Sequence, residues 1–146
     1  MISIITKLEP RFEKRKTILA NELEEFNEIT FITTGGIACG FDINGKKIYS
    51  IQKHDKCVVG AYEVSYKKRS AFIYTAITPI HGFFVRRNNW FEILKVNSHV
   101  TQIFLRNILF NYMITILYKM MARKKIAMKH WIEREDIQDI KSLMPI

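Results

Sequence analysis

The first half of the chain alternates apolar and polar residues in short runs separated by turn-forming residues. Residues 28–33 alternate with a period of two, which is typical of a half-buried strand. Gly35-Gly36 permits a reversal, and Asn44-Gly45 predicts a tight hairpin because both positions tolerate positive φ. The same pattern predicts strands over residues 17–20, 37–43, 46–52, 57–60, 70–76 and 82–86. Several short strands at this spacing favour a sandwich or a barrel-like roll.

After these strands the apolar positions recur every three or four residues instead. Asn88 is a good cap for a short helix that contains Trp90, and a long amphipathic helix follows over residues 98–121. A separate, final polar helix is predicted over residues 131–143, with its apolar side chains on one stripe. Strands followed by helices indicate an α+β protein, an antiparallel β-roll with helices packed at its end.

This organisation predicts one domain over residues 1–146, with the roll at about 8–86 and the helices at about 88–143. A chain of 146 residues with 48% hydrophobic and 25% charged residues has the composition of a packed domain and not of a disordered segment. The most apolar stretch, residues 103–121, is interrupted by Arg106 and Lys119, so no membrane span is expected.

Charge and cysteine content narrow the classes of partner and site. The net charge of +9 is compatible with a polyanion: nucleic acid, an anionic membrane surface or a phosphate-bearing ligand. The densest cluster is Arg123-Lys124-Lys125, which suits a helix end, a neighbouring subunit's acidic residues or anionic lipid. Cys39 and Cys57 are expected to be free thiols, and no residues at metal-ligand spacing predict a metal site.

Several motifs, in the same order along the chain, resemble those of cyclic-nucleotide-binding domains. Leu8-Glu9-Pro10 resembles the start of that family, and residues 29–36 resemble its first strand and small-residue turn. Residues 58–62, Val-Val-Gly-Ala-Tyr, are similar to the start of the family's phosphate-binding cassette, and residues 68–73 to its Arg-x-Ala-Thr-Val segment. The resemblance covers residues 7–122. Within the family, the chain looks most like the C-terminal domains of voltage-gated, potassium-type cation channels.

The resemblance implies a binding site for cAMP or cGMP and no further cofactor. It implies that Arg69 binds the phosphate, that Gly60 lets the backbone approach the sugar, and that Ser70 and Ala71 lie beside the phosphate. It also implies a parent channel with a transmembrane part and identical subunits, no nucleic acid as partner, and a location at the cytoplasmic face of a membrane, the isolated domain being soluble. The implied cyclic-nucleotide contacts are Val59, Gly60, Ala61, Tyr62, Arg69, Ser70 and Ala71.

Two departures from the family pattern bear on ligand binding. Ala61 stands where the family has a Glu that accepts a hydrogen bond from the ribose, and Glu63 is the nearest carboxylate. The spacing from Gly60 to Arg69 is one residue shorter than in the usual cassette. Some channel domains of this family fill the site with their own C-terminal segment, a role that residues 141–146 would have here.

The sequence therefore leaves two leading hypotheses. The first is a regulatory domain of a cation channel, in which binding of cAMP or cGMP is coupled to gating. The second is a nucleotide-blind domain that serves channel assembly or gating through protein contacts. A transcription regulator of the catabolite-activator type would need a helix-turn-helix after the long helix, and no such pattern follows. An enzyme is not expected, because no catalytic triad, Walker loop or paired catalytic carboxylates occur in the sequence.

Overall fold

Two four-stranded antiparallel sheets share one core and form the roll. The computed structural model describes residues 2–143, with side chains described for residues 4–131. The first sheet has the order β1-β8-β3-β6 and the second the order β2-β7-β4-β5. The strands are β1 (Glu9–Glu13), β2 (Ile18–Ala20), β3 (Glu28–Thr34), β4 (Gly36–Ile43), β5 (Lys46–His54), β6 (Cys57–Val59), β7 (Ile73–Ala76) and β8 (Ile80–Arg86). The predicted fold class, an antiparallel β-roll followed by helices, is confirmed.

Local sequence explains most of these strand boundaries. The β4–β5 hairpin turns at Asn44 and Gly45, whose φ angles are 50° and 81°, and the Gly45 N–H donates to the Asp42 carboxylate at 2.7 Å. β7 begins later than its predicted start at residue 70. The reason is that the Ser70 N–H donates to the Glu24 carbonyl at 2.8 Å, so this residue pairs with a loop and not with the sheet.

Helices precede, interrupt and follow the roll. They are α1 (Ile2–Lys7), α2 (Ala61–Ser65), α3 (Arg87–Val96), α4 (Ser98–Tyr112), a π-helical turn (Met113–Leu117) and α5 (Tyr118–Leu143). α4, the π turn and α5 follow one another without a break and are called the long helix below. The prediction of a separate helix over residues 131–143 is wrong: no Pro or Gly occurs within α5, so nothing interrupts it.

The core is concentrated between the two sheets and extends to the long helix. Phe41, Phe72 and Ile80 are fully buried between the strands, whereas Tyr112 and Met120 bring the long helix into the same cluster. The long helix therefore lies on the roll and is not a free extension of it, at least from α4 to the first turns of α5.

One helical stretch is long and apolar enough to cross a membrane, judged by length and composition alone. It runs over Ser98–Trp131, 34 residues, and its most apolar window has a mean hydropathy of 1.3 with 6% of that window buried. Arg106 and Lys119 thus leave a sufficiently apolar window, and the expectation that no segment spans a membrane stays a prediction.

Candidate ligand-binding site

The segment that resembles a phosphate-binding cassette begins at a glycine that no other residue can replace without strain. Gly60 lies between β6 and α2 with φ of 92°, a left-handed conformation that favours glycine. A Cβ there would lie 2.9 Å from the Glu28 carbonyl oxygen and 2.9 Å from the Phe26 ring. The backbone of the cassette is thus held against β3, and this contact fixes where α2 starts.

A cavity of about 430 Å³ lies between the start of the cassette and the long helix. Ligand pockets of small molecules typically occupy such volumes. Its walls are mainly apolar and aromatic, with a few polar side chains from both sides. The lining residues are Ile29, Phe31, Lys53, Val58, Val59, Gly60, Ala61, Tyr62, Glu63, Tyr74, Trp90, Phe104, Asn107, Ile108, Asn111, Tyr112, Thr115 and Ile116.

Aromatic side chains join the cassette directly to the long helix. The rings of Tyr62 in α2 and Tyr112 in α4 stack with centroids 3.9 Å apart and planes 6° from parallel. The Tyr66 hydroxyl donates to the Leu105 carbonyl of α4 at 2.6 Å. Stacked rings contribute beyond the area they bury. α2 and the long helix are therefore in direct contact through these side chains.

Glu63 is the buried carboxylate of the site. Its side chain lines the cavity, the residue is 3% exposed, and it accepts a hydrogen bond from the Tyr74 hydroxyl at 3.3 Å. Burial raises the pKa of the Glu63 carboxyl to about 6 from its ordinary 4.5. Glu63, the carboxylate nearest to Ala61 in the sequence, lines the cavity in the structure, as does Ala61, whose side chain is only a methyl group.

Replacing Glu63 with Gln is expected to change how stability depends on pH. The folded-state pKa lies above the ordinary value, so the folded protein binds the extra proton and loses stability as pH rises from 4.5 through 6. Gln cannot ionise, so Glu63→Gln should unfold with a free energy about 2 kcal/mol higher than wild type above pH 7 and equal to it near pH 4. Urea unfolding across this range measures the difference.

The surface substitution Glu92→Gln controls for the loss of one carboxylate, since Glu92 is 67% exposed at its side chain and lies 3.9 Å from Lys7. Its effect on stability should stay within about 0.5 kcal/mol at every pH. If the free energy of unfolding depended on pH in the same way in wild type and in Glu63→Gln, folding would not raise the pKa of Glu63.

The predicted contacts divide into two groups in the structure. Val59, Gly60, Ala61 and Tyr62 all line the cavity, whereas Arg69, Ser70 and Ala71 do not. The Ser70 hydroxyl is buried and donates to the Phe72 carbonyl at 2.6 Å, and Ala71 is exposed on the surface. The four residues at the start of the cassette are thus brought together and the three at its end are not.

Arg69, the predicted phosphate ligand, points to the surface. Its guanidinium lies 3.8 Å from the Glu25 carboxylate and donates to the Leu23 carbonyl at 3.4 Å, with the side chain 66% exposed. An exposed ion pair of this kind contributes only about 0–1 kcal/mol. The guanidinium is therefore held weakly where it is, and its role at a phosphate stays a prediction.

The long helix covers the open face of β4 and β5. Met120 is fully buried, and the Arg123 guanidinium donates to the carbonyl of Ser50 in β5. A gap of about 10 Å³ lies where Ile116 approaches Ile51 and the neighbouring strands. Sequence reasoning missed the helix residues of the site, because nothing local indicates that Asn107, Asn111 or Thr115 would face the cassette.

Two further predictions concern thiols and the chain's end. Cys39 and Cys57 are free thiols, and burial raises the pKa of the Cys39 thiol to about 12, which leaves it unreactive at neutral pH. The hypothesis that residues 141–146 fill the site concerns side chains outside those that the structure describes. Within the described part of the chain, no group of three or more His, Cys, Asp or Glu is placed to hold a metal ion.

Comparison with solved structures shows the fold. No family profile and no curated protein matches the chain. The C-linker/CNBHD of zELK channels matches with a TM-score of 0.64 and 14% identity, over 73% of this chain and 54% of that one. The regulatory domain of Toxoplasma gondii PKA, crystallised with cAMP, matches with a TM-score of 0.59 and 15% identity, over 63% and 35%.

The same fold also occurs in the solved structure of an enzyme. A cAMP-binding acyltransferase from Mycobacterium smegmatis, as its R95K mutant, matches with a TM-score of 0.55 and 16% identity, over 70% of this chain and 32% of that one. The chain thus spans about a third of the Toxoplasma and Mycobacterium chains, 35% and 32% of their lengths. The chain has the fold of cyclic-nucleotide-binding domains, a fold found in regulatory domains and also beside catalytic ones.

Proposed function

We propose that the chain is a non-catalytic regulatory domain of a cation channel, in which the long helix carries the signal from the ligand site to the rest of the protein. The observation that carries this proposal is the stack of Tyr62 on Tyr112, which links the cassette to the long helix. A ligand changes such a domain only to the extent that it binds one position of the helix more tightly than the other.

The first candidate ligand is cAMP or cGMP. The base and sugar would enter between Gly60, Tyr62 and the long helix, where the cavity has the required size. Arg69 would leave Glu25 and turn toward the phosphate, a rotation that costs little because the present ion pair is exposed. A charge-assisted hydrogen bond to a phosphate is stronger than the surface contact it replaces.

Melting temperature in the presence of each nucleotide tests this candidate. A nucleotide at about 100 times its Kd adds about 2.7 kcal/mol of stability, which should raise the melting temperature by several degrees. Arg69→Ala should remove the shift, whereas Lys68→Ala, an exposed neighbour, should keep it. A shift of equal size in Arg69→Ala would contradict the assignment of the phosphate ligand.

The second candidate function is a nucleotide-blind domain that acts through protein contacts. It is favoured by the burial of Met120 against the roll and by the absence of Arg69 from the cavity wall. In this case neither nucleotide at millimolar concentration changes the melting temperature of the wild type or of either variant. The regulatory role of the long helix would then rest on its contacts with other parts of the channel.

A further inference from the structure

The long helix carries basic residues and no acidic residue over most of its length. From Ile93 to Ile132 the sequence contains seven Lys or Arg and no Asp or Glu. Lys124, Lys125 and Lys129 make no ion pair with the residues whose side chains the structure describes. The positive charge of this region is therefore uncompensated within the described part of the chain.

The side of the long helix that faces away from the roll is apolar. Phe110, Ile114 and Tyr118 follow one another at four-residue spacing and are 65%, 47% and 59% exposed. Side chains at this spacing lie on one face of a helix. Ile103, one heptad before Phe110, is 59% exposed as well. Because the opposite face is buried on the roll through Tyr112 and Met120, this apolar row has no partner among the described residues.

We propose that this face of the long helix, from Ile103 to Lys129, lies on the surface of an anionic lipid bilayer. The apolar row would enter the boundary between headgroups and acyl chains, and the exposed Lys125 and Lys129 at its C-terminal end would contact the lipid phosphates and carboxylates. Arg106 adds a cation near the other end of the row. The proposal is independent of whether the domain binds a nucleotide.

Charge favours lipid over a second copy of the chain as the occupant of this face. Two such helices packed along this row would bring together basic side chains from both copies, with no acidic residue between Ile93 and Ile132 to offset them. Like charges at close range destabilise an interface. An anionic bilayer supplies the opposite charge and also an apolar environment for Phe110, Ile114 and Tyr118.

Co-sedimentation of the full chain with lipid vesicles tests the proposal. Binding is expected to vesicles of phosphatidylcholine with phosphatidylserine, to be weak to phosphatidylcholine alone, and to be reversed by high salt. Each cation near an anionic surface contributes about fivefold, so the triple variant Arg106→Gln, Lys125→Gln, Lys129→Gln, at three exposed positions, should bind on the order of a hundredfold more weakly. The matched control is Lys14→Gln, Arg15→Gln, Lys16→Gln, an equally basic exposed cluster before β2, which should bind as wild type does.

A second pair of substitutions tests the apolar row. Phe110→Ser with Ile114→Ser changes two exposed side chains, so the fold should be retained while vesicle binding weakens. The proposal is overturned by equal binding of the two triple variants, by binding to phosphatidylcholine alone that matches wild-type binding to anionic vesicles, or by binding that high salt does not reverse. If sedimentation velocity shows a stable dimer and this dimer does not bind vesicles, the face is the contact surface for a second copy of the chain instead.

Discussion

Met120→Ala should lower the free energy of unfolding by about 2–5 kcal/mol, the usual cost of truncating a fully buried methionine. Met120 is 0% exposed and belongs to the core cluster, although it comes from the long helix and not from the roll. Its neighbour Met121 is 56% exposed and offers a matched control with the same chemistry. Met121→Ala should change stability by no more than about 0.5 kcal/mol. Urea unfolding measures both.

The same variant reports on the proposed movement of the long helix. Met120 contributes to holding the helix over β4 and β5, so Met120→Ala should speed amide hydrogen exchange in α5 more than in the strands. If a cyclic nucleotide displaces this part of the helix, Met120→Ala should also bind it more tightly than wild type, because less packing is lost. A loss of stability spread evenly over the strands and α5 would show that roll and helix unfold together and that the helix does not lift separately.

Gly60→Ala is expected to cost about 3 kcal/mol of stability. The left-handed φ of 92° accounts for about 1–2 kcal/mol of this in a residue with a Cβ. The contacts of that Cβ, 2.9 Å from the Glu28 carbonyl and 2.9 Å from the Phe26 ring, add about 1–3 kcal/mol of overpacking. The start of the cassette would have to move away from β3.

Gly45→Ala separates these two contributions. Gly45 also has a positive φ, 81°, but a Cβ there meets nothing within 4 Å. It should therefore cost only the conformational part, about 1–2 kcal/mol. Equal losses of stability in the two variants would mean that Phe26 and Glu28 move aside at little cost. The cassette would then not be fixed against β3. Chemical unfolding of both variants under one condition provides the comparison.

The sequence predicted those parts of the fold that short-range signals specify. The alternation over residues 28–33 and the Asn44-Gly45 turn correspond to β3 and to the β4–β5 hairpin. α2 was not predicted: with only five residues, Ala61–Ser65, it is too short for a recognisable helical period. α1 was missed too, since Ile2–Lys7 has only six residues.

The cavity includes the first, contiguous part of the predicted contacts and not the later part. Val59 to Tyr62 are contiguous, so a motif could identify them and the structure places all of them at the cavity. The position of Arg69 depends instead on the bridge between Glu25 and Arg69, which joins residues far apart in the chain. The stacking of Tyr112 on Tyr62 likewise depends on how α4 crosses α2, and no pattern within either segment specifies that crossing.

The π-helical turn explains why one helix can contact the roll at both Tyr112 and Met120. These residues are eight positions apart, and in an uninterrupted α-helix about 100° per residue would leave their side chains about 80° out of phase. Both are buried on the same side because the turn at Met113–Leu117 takes up one additional residue. In evolutionary terms the turn has the form of a single-residue insertion that the helix absorbed locally. An alignment of this helix with a regular one therefore requires a one-residue gap within residues 113–117, and without that gap every position after it would be assigned about 100° away from its true place around the helix axis.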